Sequence, residues 1–257
     1  MACWRRREVR ASVRRLGTHL LAVGWVLLAW AIVAFFAANP ALPGPVPCMI
    51  HLVTSLEVLW PHFWVSLYRV VLSLCLGLVT AAPLGLLLGR CELLDRLFTP
   101  AAYLVYPVPK IALLPVIFLL FGIGDATRIF LITIIVFFQI LVTTRDASRA
   151  IPQHSILSVL SLGAGAWQIL RHVIFPACLP KILTALRISL GTAVSVLFFS
   201  ETVAGTSGLG YFILDALYRS EYARMLAGIV AMSLLGLFLY GVIDWLERRL
   251  CSWQFVA

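Results

Sequence analysis

Residues 159–181 read VLSLGAGAWQILRHVIFPACLPK, and they lie between two long apolar runs. The stretch carries two turn glycines, a tryptophan, a basic pair and two prolines, a mixture that suits neither a lipid-facing helix nor a structureless linker. Apolar residues at Ile156, Leu157, Leu160, Leu170, Val173, Ile174 and Phe175 recur at broadly helical spacing, so the segment is expected to fold. Residues 151–163 read as one short helix, with Pro152 in its first turn and Gly163 in the left-handed conformation that ends it. Residues 164–176 read as the start of a second helix, and the pair makes a knob about a glycine turn.

The rest of the chain says where such a knob stands. Of 257 residues, 62% are hydrophobic and 12% charged, with a mean hydropathy of +1.01. No soluble domain of this length buries so much apolar surface. Six apolar runs, 20–38, 64–89, 99–122, 129–142, 182–204 and 225–246, are candidate membrane spans of roughly 20 residues. With the N-terminus inside, fifteen of the twenty Lys and Arg fall in inner segments or, as Arg187, at the inner end of a span, three in outer segments and two, Arg69 and Lys110, deeper within spans. This positive-inside bias places both termini in the cytoplasm and makes 145–181 the largest cytoplasmic loop. It also accounts for the net charge of +9 without nucleic acid, for which no basic-aromatic motif is present. The first run follows the basic residues 1–18 and is too long for a signal-peptide core, so it reads as an uncleaved span.

Two spans carry further patterns. Residues 100–115, PAAYLVYPVPKIALLP, hold Pro100, Pro107, Pro109 and Pro115. Proline removes a backbone donor, so this helix is expected to kink or break, and lipid tolerates that only where protein or a water-lined cavity supplies partners. The reading is a segment lining a pathway, with Pro107, Pro109 and Lys110 on it; a packing kink accounts for the same prolines. In the second span, Ser73, Gly77, Ala81, Gly85 and Gly89 recur every four residues, the spacing that lets two helix backbones approach closely.

The blocks 66–90, 107–132, 186–216 and LERRL at 246–250, in that order around the knob, resemble permeases of the nitrate, sulfonate, taurine and bicarbonate group of ABC importers. In the knob, Gly163, nine residues and then Val173-Ile174-Phe175-Pro176 keep the spacing of that family's coupling motif. Its Glu-Ala-Ala positions fall on Leu157, Ser158 and Val159, so the acidic residue is missing. The resemblance implies an all-α membrane protein of six transmembrane helices with the type I importer fold. One peripheral N-terminal helix with its outer loop takes residues 19–62, a five-helix core 63–250 and a cytoplasmic tail 251–257. It implies ATPase coupling through Leu157, Ser158, Leu160, Gly163, Ala164, Gly165, Ala166 and Trp167. It also implies the partners: a second permease copy, two cytoplasmic ATPases, an outer-side solute-binding protein and the lipid of a bacterial-type inner membrane.

The chain has no GxxxxGK[ST] phosphate loop, so ATP and its magnesium belong to the partner ATPase, and no catalytic residue is expected here. A secondary transporter or channel subunit is the alternative, weakened by the scarcity of intramembrane acids. Cys48, His51 and His62 are too loosely spaced for a metal site, and six cysteines without a CxxC pair point to no structural disulfide. Arg69 and Glu201 stand at matched depths near the outer ends of their spans. A bidentate pair between them is expected to brace a gate beside Ser207, Gly208 and Gly210; separate snorkelling to the headgroups accounts for the same two charges.

Overall fold

Backbone groups in hydrocarbon must pair within their own segment, which leaves helices as the solution for runs this apolar. The computed structural model describes residues 21–105 and 107–254; among them every regular element is helical and none is a strand. The basic segment 1–18 and the last tail residues lie outside the described ones. The elements are α1 (Leu21–Ala37), α2 (Pro45–Thr54), α3 (Leu56–Leu88), α4 (Glu92–Val105), α5 (Leu114–Phe121), α6 (Asp125–Arg149), α7 (Gln153–Leu160), α8 (Ala166–Ile169), α9 (Phe175–Thr202), α10 (Leu209–Tyr218) and α11 (Tyr222–Leu250). Four runs are long and apolar enough to cross a membrane by themselves: α3, α6, Ala166–Thr202 and α11. The bent pair of α4 with Lys110–Phe121 passes the same test when its two pieces are taken together, as a broken span or a re-entrant loop, which makes four to five candidate spans among the described residues.

The core is the packing of α3 against α6, α6 against α9, and α9 with α10 against α11. Val70, Leu131, Ile132, Val136, Leu197, Leu209 and Leu235 fill it. The small-residue stripe explains the first of these contacts. A Cβ built on Gly85 would stand 2.7 Å from Thr144 Cβ, and one on Gly89 2.6 Å from both Ser148 Cβ and Arg145 O. Ser73 Oγ donates to Ile129 O at 3.2 Å, and Ala81 is fully buried. The stripe therefore lies along α6 throughout. By contrast α1 exposes Trp25, Val26, Phe35 and Phe36, as a helix at the periphery facing lipid would.

Three boundaries differ from the sequence reading. The connection before residue 62 is mostly helical: Pro45 starts α2, since its missing N–H is an orphan donor in a first turn anyway, and α3 starts eight residues before the expected span. The loop read as cytoplasmic is shorter than 145–181, because 145–149 belong to α6 and 166–181 continue into the next span. Arg145 and Arg149 stay helical there because Asp95 of α4 accepts from both at 2.7 Å. Pro152 precedes α7 as its N-cap, where the expectation put it inside the first turn. The proline-rich span breaks as expected: α4 ends before Pro107, and a 3-10 turn at Lys110–Leu113 leads into α5, which leaves at 80° to α4.

Candidate functional site in two parts

The first part is an ionic knot around buried Arg69 and Glu201, built from α3, the start of α6, the end of α9 and the turn before α10. On α3, Ser66, Arg69 and Ser73 share one helical face and all are at most 1% exposed. Arg69 Nη1 donates to Glu201 Oε1 at 2.7 Å and to Ser207 O at 3.0 Å. Its Nε and Nη2 donate to Asp125 Oδ1 at 2.9 and 2.6 Å, and Nη2 also donates to Ser207 Oγ at 2.9 Å. Arg69 and Glu201 thus meet, but the guanidinium is shared between two carboxylates where a bidentate pair was expected. A single salt bridge would leave half of the planar fork unmatched in a low dielectric, and Asp125 takes that half.

Glu201 is completed in turn. Ser66 Oγ donates to it at 2.8 Å and the Gly210 N–H donates to Oε2 at 2.8 Å. The turn that delivers these groups needs its glycines. Gly208 has φ +104°, and a Cβ there would fall into the Glu201 carboxylate; a Cβ on Gly210 would stand 2.7 Å from Glu201 Cβ. The Gly208 and Leu209 N–H groups, the first of α10, donate to His62 Nδ1 and Ser66 Oγ. Arg128 closes the other side, donating to Ser200 O and Ala204 O. Of these residues the sequence reading named Arg69, Glu201, Ser207, Gly208 and Gly210, and it missed Ser66, Asp125, Arg128 and the role of His62. One signal for Asp125 was available: an acid at the first position of a helix, immediately after Gly124, complements the helix dipole, and here it stays half-exposed while its Oδ1 accepts from the buried Arg69.

The second part lies at the break between α4 and α5. Lys110, only 8% exposed, donates from Nζ to Val105 O at 3.1 Å and sits 4.9 Å from the centre of the Phe138 ring. Beside it is a cavity of about 310 Å³ between the break, α6 and α9. Gln139 and Thr192 face each other across its wall, with Gln139 Nε2 donating to Thr192 Oγ1 at 3.2 Å. Pro107 and Pro109 shape the break, and Lys110 starts the turn that follows. The pathway residues of the sequence reading therefore divide between the knot and this break.

The knob stands at the opposite end of α9 from Glu201. Gly163 has φ +82° and closes the turn after α7, as expected. α7 buries none of its residues fully, and Leu157, Leu160, Leu162 and Trp167 are 51%, 51%, 85% and 69% exposed. The Gly165 N–H donates to Gln168 Oε1 at 2.8 Å, which starts α8. From Ala166 the helix runs without interruption to Thr202. Pro176 is accommodated by a π-turn at Leu170–Ile174, which widens the helix where the proline ring would otherwise meet the carbonyl four residues back. Among the described residues no group of His, Cys, Asp and Glu is placed to hold a metal, and Cys48 and His62 are engaged elsewhere, Cys48 with Ala223 O at 3.6 Å.

Residues 73–251 match the family described as "Binding-protein-dependent transport system inner membrane component". The taurine transport system permease protein TauC of Escherichia coli K12 is 32% identical over 255 residues, covering 96% of this chain and 91% of that one. The putative aliphatic sulfonates transport permease protein SsuC of Bacillus subtilis 168 is 30% identical, over 91% of this chain and 87% of its own. Among solved structures, the fold is similar to a chain of the MetNI methionine ABC transporter in an inward-facing conformation. The TM-score is 0.64 at 22% identity, covering 76% of this chain and 98% of that one.

Proposed function

The chain belongs to the binding-protein-dependent transport system inner membrane component family and is a permease subunit of an ABC importer, and from that premise we propose how it is built into its complex. Two copies form the translocation path across the cytoplasmic membrane, each with six spans. The bent α4–α5 pair is one of the six and α1 is peripheral. Both termini face the cytoplasm, with two ATPases below and a solute-binding protein outside. ATP and magnesium are bound by the ATPases. The solute is a small organic anion, a class supported by the taurine and sulfonate permeases among the relatives.

The observation that carries this reading is the exposed apolar knob. Leucine and tryptophan side chains left bare at a basic, water-facing end mark a docking surface, and buried aromatic anchors tend to dominate such interfaces. The knob seats in the ATPase through Leu157, Ser158, Leu160 and the 163–167 turn. Because Ala166–Thr202 is one helical run, closure of the ATPase dimer is passed along it to Glu201. There the Arg69 knot, with Ser207, Gly208 and Gly210, braces the outer gate.

Gly163→Trp is a poor test, since any side chain at φ +82° strains the backbone whatever it does to docking. Gly165 has φ −74°, and the nearest atom to a built Cβ is Gln168 Oε1 at 3.9 Å, an ordinary contact, so Gly165→Trp alters the surface with little backbone strain. In proteoliposomes holding the complete complex, Gly165→Trp is expected to lower solute import at least about tenfold and to weaken retention of the ATPase. Parental import with the ATPase retained refutes the docking assignment.

A further inference from the structure

Helix α10 starts in a buried place, and the N–H groups at a helix start have no partner within their own helix. Its N-cap is Gly208, which has no side chain to offer one. Other helices supply the acceptors. The Gly208 N–H donates to His62 Nδ1 at 3.1 Å, the Leu209 N–H to Ser66 Oγ at 2.8 Å and the Gly210 N–H to Glu201 Oε2 at 2.8 Å. His62 and Ser66 are one turn apart on α3, so one face of that helix caps a helix that starts more than 140 residues later in the chain.

The three acceptors respond differently to a proton. A serine hydroxyl does not titrate in this range, and a carboxyl group keeps an acceptor oxygen in either form. An imidazole accepts at Nδ1 only while it is neutral with its proton on Nε2, and the imidazolium is a donor at both nitrogens. The orientation of the ring follows from the donor it faces, since turning it over would set a C–H against the Gly208 N–H and orphan that buried group. Protonation of His62 and the cap on Gly208 therefore exclude each other.

His62 also stands where water can deliver a proton, half-buried near the start of α3, at the end of the molecule away from the knob. The rings of Tyr211 and Phe212 lie 5.7 and 5.9 Å from it. The charged groups around it are Arg69 on its own helix, Asp215 on α10 and Arg224 on α11. Each already holds an ion pair, Arg69 with Asp125 and Glu201, Asp215 with Arg219, and Arg224 with Glu221.

We propose that His62 is a positioning residue of the turn at Ser207–Gly210, which it holds over Glu201 as a neutral imidazole and releases when protonated. It rests on the reading that this turn belongs to the outer gate, and it adds that acid on that side loosens the gate. The held turn requires an unprotonated Nδ1 and the released turn does not, so the held state binds fewer protons. Its stability is present at high pH and is lost as pH falls through the imidazole range, from about pH 7 to about pH 5.

Hydrogen exchange of residues 205–213 in the complete complex, corrected for the intrinsic pH dependence of exchange, reads the turn directly. The parental protection factor is expected to fall at least about tenfold from about pH 8 to about pH 5.5. His62→Asn sets an acceptor oxygen where Nδ1 stands and cannot titrate; its protection should be within about threefold of parental at about pH 8 and should not follow pH. His62→Phe keeps a ring against Tyr211 and Phe212 without an acceptor, and its protection should already be about tenfold low at about pH 8. A parental series that ignores pH overturns the proposal and needs no variant. Parental protection in His62→Phe at about pH 8, or a parental pH response in His62→Asn, overturns it too. Solute-free ATP hydrolysis by the same complex, taken as the ratio of parental to His62→Asn at each pH, tests the gate and should rise as pH falls. Exchange that behaves as expected beside a flat hydrolysis ratio refutes the gate reading and upholds the cap.

Discussion

Arg69 and Lys110 are both cations buried in apolar surroundings, one within a long helix and one at a helix break, and the protein houses them in different ways. Arg69 is held by two carboxylates, a serine hydroxyl and a backbone carbonyl, and every nitrogen of its fork has a partner. Lys110 stands over an aromatic ring at a helix break, beside a cavity whose described lining residues contain no acid. The first arrangement ties α3, α6, α9 and the turn before α10 together; the second sets a charge beside open volume. The two sites show two ways of keeping a cation in an apolar setting: enclosure by carboxylates, and a backbone carbonyl with an aromatic face.

The comparison breaks most readily at Glu201. Glu201→Leu leaves Arg69 with Asp125 alone and orphans Ser66 and the Gly210 N–H. Breaking such a pair costs about 3–5 kcal/mol, read as a large loss of thermal stability of the detergent-solubilised complex. A cycle with Arg69→Met should show the double variant losing at least about 2 kcal/mol less than the sum of the singles; additivity would mean the two charges act separately. The charge exchange Arg69→Glu with Glu201→Arg is not a rescue, since it sets a carboxylate at 69 beside Asp125.

Next in size are the close approaches that hold the knot and the core. Gly210→Ala and Gly85→Ala each place a Cβ 2.7 Å from a packed carbon and should cost about 1–3 kcal/mol, whereas Gly191→Ala, with nothing within 4 Å, should change stability little. Equal effects at all three positions would show that crowding is not what these glycines relieve. Lys110→Met should shift thermal stability by less than about 1 kcal/mol, because an apolar side chain of similar length fills the same space. A destabilisation as large as that of Glu201→Leu would put Lys110 in the same class as Arg69 and erase the contrast. Smallest of all, Arg96→Ala removes an exposed pair with Glu92 at 2.7 Å and should cost no more than about 0.5 kcal/mol.

How much of this was legible beforehand varied with the range of the interaction. The stripe from Ser73 to Gly89 declared a close helix contact by its spacing, and the break at Pro107 and Pro109 follows from proline chemistry alone. Gly163 was recognisable as a left-handed turn. The limits of the long loop were not: Arg145 and Arg149 read as loop charges because their neutralising partner, Asp95, is 50 residues away or more in the chain. Asp125 was passed over for the same reason, 56 residues from Arg69. Helix α10 was not anticipated, since ten residues are too few for a periodic signal to separate from the glycines before them.

The sequence by itself determined that this chain is a bundle of membrane helices with a folded knob and a broken span, because hydropathy, proline and glycine act over one or two turns of chain. Only the tertiary structure decided which helix the stripe lies along, that Arg69 is shared by Asp125 and Glu201, and that Lys110 stands beside a cavity. Those facts are settled by distances of a few ångströms between residues tens of positions apart. In a low dielectric, such a distance decides how strongly a buried charge and its partner act on each other.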